Sequence, residues 1–155
     1  MNNITVEYEN PSYRKLITKK DTIAFVNAVL DTLKTDNVQL SVTFVGKDTI
    51  HSLNRQYRSI DRPTDILSFA CEDNPDGFDF IVKSRRKNIG DMLICPEVMT
   101  ENADTFKVSQ GEELHRLLVH GTMHLCGYDH KTNDFSEPML VKQEKILKKL
   151  YCKLI

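Results

Sequence analysis

The chain has 155 residues, 40% hydrophobic and 28% charged, with a formal net charge of −1. That length suits one domain whose core needs no disulfide staples, and the small net charge excludes a protein whose overall field draws in nucleic acid; such a partner must meet a local basic patch. The cysteines, Cys71, Cys95, Cys126 and Cys152, form no Cys-x-x-Cys pair, and no apolar run approaches the roughly 20 residues of a membrane span, which argues against a zinc ribbon, a secreted disulfide scaffold and a membrane-spanning helix.

The opening "MNNITVEYEN" lacks a basic stretch followed by an apolar one. No signal peptide is expected, and a reducing cytoplasm is the expected location. "ITVEY" (Ile4–Tyr8) alternates apolar and polar residues and reads as a strand. A helix is expected from Thr18 to Lys34, with Ile23, Val26, Val29, Leu30 and Leu33 on one face. "QLSVTFVG" (Gln39–Gly46) is rich in β-branched and aromatic residues and forms a second strand. "KDTIHSLNRQYR" then gives a helix with Asp48 as its N-cap and Ile50, Leu53 and Tyr57 on one face.

"DILSFA" (Asp65–Ala70) is a short strand after the turn residues Asp61 and Pro63, and "NPDGFD" (Asn74–Asp79) is a turn. "KSRRK" (Lys83–Lys87) is basic, and "IGDMLICP" (Ile89–Pro96) is a fourth strand closed by proline. Pro96 opens a helix to Lys107, a stronger helix spans Gly111–Cys126, and Gly127 suits its left-handed C-terminal cap. After a polar loop, "EPMLVKQEKILKKLYCKL" forms a last amphipathic helix, read as core packing with the basic outer face of Lys142, Lys145, Lys148 and Lys149. The expected fold is one α/β or α+β domain with a small mixed four-stranded sheet and about five helices.

"HGTMHLCGYDH" (His120–His130) holds three of the five histidines. His120 and His124 stand four residues apart on a helix, so their side chains leave within about 40° of each other. Gly127 then lets the chain turn back, and His130 can approach the same point. Three neutral imidazoles leave one position of a tetrahedral zinc free for water, which marks a catalytic rather than a structural site. Nickel and copper are not excluded by affinity order. The spacing matches that of the metzincin proteases, but their general-base glutamate is replaced by Gly121. His115 lies about 140° round the helix from His120 and His51 on a separate helix, so neither is expected to be a ligand.

These residues, with "NRQYRSIDRPTDILSF" (Asn54–Phe69) and "GDMLIC" (Gly90–Cys95) upstream, resemble the YbeY family of bacterial endoribonucleases over essentially the whole chain, 1–155. The resemblance implies a sheet packed against helices with the metal in a cleft beside it. It implies metal-dependent cleavage of single-stranded RNA, in rRNA precursors and notably at the 3′ end of 16S rRNA, and a part in ribosome quality control. It implies His120, His124 and His130 as ligands of one Zn2+ per chain, and Arg58 as a catalytic residue. Ribosome or small-subunit proteins are expected partners, with neither membrane nor DNA.

A planar guanidinium can hold two phosphate oxygens, which suits Arg58 to this chemistry; its alternative is a solvated helix end or an ion pair with Asp61 or Asp65. Asp65 and Asp91 either orient ligand histidines or cap turns, and Asp129 either serves as a base or fixes its turn. Arg55, Arg58, Arg62 and the KSRRK segment offer a positive path for RNA, or solvated loops. The competing functions are a metallohydrolase of another substrate, such as peptide, and a ribosome assembly factor with structural zinc.

Overall fold

The computed structural model describes residues 1–71 and 86–151; the expected turn at Asn74–Asp79, Lys83, Arg85 and Cys152 lie outside the described residues. The strand alternation sets the layers. In β2 (Val38–Phe44) every second side chain, from Val38 to Phe44, is buried, and β1 (Asn3–Tyr8) buries Ile4 and Val6 in the same way. β3 is Ile66–Ala70 and β4 is Lys87–Ile94. The sheet order is β1-β2-β4-β3; the first three are parallel and β3 is an antiparallel edge. This is the small mixed sheet expected from the sequence.

Five α-helices accompany it: α1 (Lys19–Thr32), α2 (Lys47–Arg58), α3 (Pro96–Phe106), α4 (Gln110–Leu125) and α5 (Pro138–Tyr151). Thr18 caps α1 by accepting from the Asp21 amide at 3.1 Å. Two local expectations are corrected. Asp48 does not cap α2, because the helix starts two residues earlier, with Gly46 at the N-cap and Asp48 in the first turn. Glu9 serves this end from a distance, accepting from the Gly46 amide at 2.9 Å and the Thr49 hydroxyl at 2.7 Å. A 3₁₀ turn at Pro11–Lys15, capped by Asn10, also escaped the periodicity reading, being too short to show one.

The main core joins α1, α4 and α5 to one face of the sheet through residues such as Val29, Val42, Leu118 and Ile146. A smaller cluster of Val45, Ile50, Leu67 and Cys95 seats α2. Along β3, Ile66 approaches α4 while its neighbour Leu67 packs with α2, so the two helices lie on opposite faces of the same edge strand. A fully buried aliphatic or aromatic side chain contributes about 2 kcal/mol. The scaffold around the site therefore rests on its core.

Where β4 meets β2 the register slips by one residue between Gln39 and Leu40. Gly90 stands at this bulge with φ +126°, and a Cβ there would lie 2.1 Å from the Phe69 carbonyl oxygen. Only glycine lets β3 run this close to β4 at its Phe69 end.

Candidate metal centre and cleft

α4 carries His120 and His124 on one face, as the four-residue spacing requires, and their Nε2 atoms lie 3.0 Å apart. The helix ends at Leu125, and Cys126 occupies the cap with an ordinary backbone conformation. Gly127 follows with φ +99°. Its amide donates to the His124 carbonyl, and the Tyr128 amide donates to the Met123 carbonyl, each at 3.0 Å. This is the Schellman arrangement, and it reverses the chain. The reversal delivers His130, whose ring centroid is 5.3 Å from that of His120 and 5.4 Å from that of His124. One ring nitrogen from each histidine falls within 4.8 Å of the others.

The hydrogen bonds on the other ring nitrogens fix the tautomers. His120 Nδ1 donates to Gln143 Oε1 at 2.6 Å, His124 Nδ1 to the Tyr128 carbonyl at 2.9 Å, and His130 Nδ1 to the Thr132 carbonyl at 2.8 Å. An acceptor on each Nδ1 keeps the proton there and leaves Nε2 with its lone pair. The lone pairs of His120 and His124 then face each other at 3.0 Å, which is unfavourable unless an electrophile lies between them. For a tetrahedral zinc with ordinary Zn–N bonds the separation would be about 3.3 Å. Burial lowers the pKa of both His120 and His124, against the raising effect of their hydrogen bonds to Gln143 and Tyr128. Donor type, tautomer and convergence all fit a borderline-soft divalent cation.

Gln143 is held in turn. Its Nε2 donates to Glu144 Oε2 at 3.0 Å, which leaves Oε1 for His120. Arg116 clasps Glu144 through Nε at 3.0 Å, Glu113 through Nη1 at 2.7 Å and Glu112 through Nη2 at 2.9 Å. A continuous polar chain therefore joins the α4–α5 contact to one imidazole. The amphipathic pattern of α5 points to core packing with a basic outer face and not to a histidine partner. Gln143, 6% exposed, falls in the buried stripe with Met139, Ile146 and Leu147, and a polar residue there was the available signal.

A cleft of about 780 Å³ opens beside His120 and His124; β3 from Ile66 to Ala70 forms another wall, and Arg58 and Asp129 also line it. Arg58 is the last residue of α2. Its Nη2 donates to the Ser68 carbonyl at 2.8 Å, and its guanidinium carbon lies 5.5 Å from the Phe69 ring centroid. Ser68 is among the alternate residues of β3 whose backbone groups point away from β4, so Arg58 holds a carbonyl on the outer edge of the sheet, which no strand pairs among the described residues. The expected alternative of an ion pair to Asp61 or Asp65 is not what forms. Asn54, buried at the base of this corner, donates to the Arg62 carbonyl at 2.9 Å and ties the next loop to α2.

The family model for Endoribonuclease YbeY matches residues 3–151. The chain belongs to the YbeY endoribonuclease family. It is 41% identical over 112 residues to an Endoribonuclease YbeY of Staphylococcus aureus strain bovine RF122 / ET3-1, covering 72% of each protein. The YbeY proteins of strains JH9 and Newman match to the same degree. The solution structure of TM1509 from Thermotoga maritima superposes with a TM-score of 0.64 at 30% identity, covering 97% of this chain and 91% of that one.

Within this YbeY-family site, Gly121 has a physical reason. A Cβ there would stand 2.8 Å from Met92 Sδ and 3.0 Å from Ile66 Cδ1. α4 is pressed against β4 and β3 at this position, which faces apolar side chains. A glutamate would meet the core, so the missing protease base reflects close helix–sheet packing.

Several other expected residues have structural duties. Asp65 accepts from Asn102 Nδ2 at 3.1 Å and Asp91 from the Ser41 hydroxyl at 2.5 Å; neither hydrogen-bonds a ring of the cage. Asp129 accepts from the His130 amide at 2.8 Å, fixing the turn. His51 Nε2 lies 2.7 Å from Asp61. His115 donates to the Gly111 carbonyl at 2.6 Å and packs edge-on against Phe25. Arg55 and Arg62, near Arg58 in sequence, are exposed. From the KSRRK segment, Arg86 donates to the Met1 carbonyl at 2.9 Å. Lys142 donates to the Tyr128 hydroxyl at 2.9 Å, and Lys145, Lys148 and Lys149 are exposed.

Proposed function

We propose that this chain is a zinc-dependent endoribonuclease that cuts single-stranded RNA. In this reading residues 1–155 act as one catalytic domain in the cytoplasm. The substrates are rRNA precursors, including the 3′ end of 16S rRNA, and the enzyme serves ribosome quality control beside ribosomal or small-subunit proteins. The observation that carries the reading is the pairing of Nε2-presenting histidines with Arg58 across one cleft.

His120, His124 and His130 would hold one Zn2+. When bound, the metal supplies charge for a phosphoryl oxygen and an activated water at neutral pH. The chain's own residues do the rest. Arg58, steadied by the Ser68 carbonyl, has N–H groups left to hold phosphate oxygens in the cleft. Gln143, Tyr128 and Thr132 keep the three imidazoles oriented through Nδ1.

The test is to incubate zinc-loaded protein with single-stranded RNA and with an unfolded protein in parallel, with His124→Ala as the control for contaminating nuclease. RNA cleavage that His124→Ala and Arg58→Glu both lose is expected, with zinc retained by Arg58→Glu. Full RNA cleavage by Arg58→Glu would remove the role assigned to that residue. Normal rRNA maturation supported by a stably folded His124→Ala protein would favour a non-catalytic assembly factor.

Among the described residues no strand pairs the outer edge of β3 beside the histidines, which favours a second reading, since an extended peptide can pair with such an edge. Arg58 already occupies the Ser68 carbonyl that a peptide would need, and position 121 supplies no base. Cleavage of the unfolded protein, lost in His124→Ala, would reinstate it.

A further inference from the structure

Beyond Arg58, the rim of the cleft carries an aromatic pair that neither the metal centre nor the core uses fully. Tyr57, on the last turn of α2, is 57% exposed. Its ring packs edge-on against Phe69, with centroids 5.3 Å apart and planes at 69°. Phe69 lines the cleft wall, and Leu53 packs in the same apolar cluster beneath it. Because Arg58 also lies over the Phe69 ring, guanidinium, phenyl and phenol form one continuous surface leading out of the cleft. Arg55 and Arg62, near Tyr57 in sequence, are exposed as well, and Arg58 is the cation in contact with the patch.

An exposed aromatic pair with an arginine over it suits a ligand that combines negative charge with flat apolar faces. An unpaired nucleic acid strand has that chemistry; a duplex does not, because its bases already stack on one another. A purely apolar protein anchor would gain nothing from the Arg58 guanidinium over the Phe69 ring. We propose that Tyr57 and Phe69 form a nucleobase-stacking subsite, which takes the base of a nucleotide adjoining the phosphate held at Arg58. This rests on the endoribonuclease reading and deepens it by giving a physical source for single-strand selectivity. Tyr57 is a positioning residue here, since stacking fixes the strand without touching the reacting phosphate.

The experiment measures equilibrium binding of a fluorescent single-stranded oligoribonucleotide to the full-length protein in chelator, with folding checked by circular dichroism. The proteins are wild type, Tyr57→Ala, Tyr57→Trp, Arg58→Glu and Phe106→Ala. Phe106 is a control because it is exposed but does not line the cleft. Tyr57→Ala is expected to bind about tenfold more weakly, while Tyr57→Trp and Phe106→Ala match the wild type. A single abasic nucleotide, moved along the oligonucleotide, should produce a similar loss at one position in the wild type and none at that position in Tyr57→Ala. In the zinc-loaded enzyme Tyr57→Ala should raise KM with little change in kcat.

Unchanged binding by Tyr57→Ala while Arg58→Glu binds poorly would overturn the subsite and leave the RNA reading standing. A loss in Tyr57→Ala that persists undiminished beside every abasic substitution would also overturn it, since the tyrosine would then contact no base. Absence of RNA binding by the wild type would overturn both.

Discussion

The two walls of the cleft are built on opposite plans. On the α4 side each histidine is tied through Nδ1, and the acceptors are themselves fixed, Tyr128 by a Schellman turn, Gln143 by Glu144 and Thr132 by Glu137. On the α2–β3 side Arg58 and Tyr57 are exposed and rest on one carbonyl and one ring. Ligand geometry tolerates errors of only a few tenths of an ångström, and the buried side spends its polar contacts on that precision. A substrate that varies along its length needs rim groups that can adjust. Substitutions should therefore separate cleanly: metal and stability on one wall, substrate on the other.

The largest expected effect is on the buried wall. His124→Ala should leave no stoichiometric zinc after dialysis, measured by elemental analysis, and no activity. Gly121→Glu presses a carboxylate against Met92 and Ile66 and should cost about 3 kcal/mol or more, read from denaturant unfolding. Gly121→Ala should cost less, because helix propensity returns about 1 kcal/mol against the overpacking. Gln143→Leu should keep the fold and weaken zinc binding by roughly 10- to 100-fold in a competition assay with a chromogenic chelator. An unchanged zinc affinity would show that the His120 tautomer does not depend on α5.

On the rim, Arg58→Ala should change stability by no more than about 0.5 kcal/mol while abolishing RNA cleavage, which is the sharpest contrast with Gln143→Leu. The smallest effect is a pH dependence outside the cleft. Burial lowers the pKa of His115, so between its folded pKa and the unfolded value near 6.5 the unfolded chain binds more protons. His115 thus contributes stability above about pH 6.5, lost as the pH falls toward its folded pKa. In metal-free protein, His115→Phe should flatten the slope of unfolding free energy between pH 7 and 5. His120 and His124, shifted in the same direction, keep part of that slope.

The histidine cage was legible in sequence because its geometry is local. Helical periodicity pairs His120 with His124, and Gly127 supplies the reversal, all within eleven consecutive residues. The strands were legible through alternation, as in β1, and through β-branched and aromatic residues, as in β2. What escaped was held by distant partners. Gln143 meets His120 across 23 positions, and Glu9 meets Gly46 across 37. Asp48 looked like a cap because acidic residues favour both the cap and the first turn, and only the backbone separates the two. Arg58 was placed in the site by resemblance, but its partner, the Ser68 carbonyl on the edge strand, became visible only once the strand order was known.

The amide of Gln143 has two ways round that differ little in shape. Glu144, its side chain 46% exposed, decides between them by accepting from Nε2. Replacing Glu144 with lysine removes the acceptor and lets the amide turn, presenting N–H rather than oxygen to His120. The imidazole must then carry its proton on Nε2, the atom that faces His124. An acid on the outer surface of one helix thus decides, without moving any backbone, whether an imidazole inside can ligate at all.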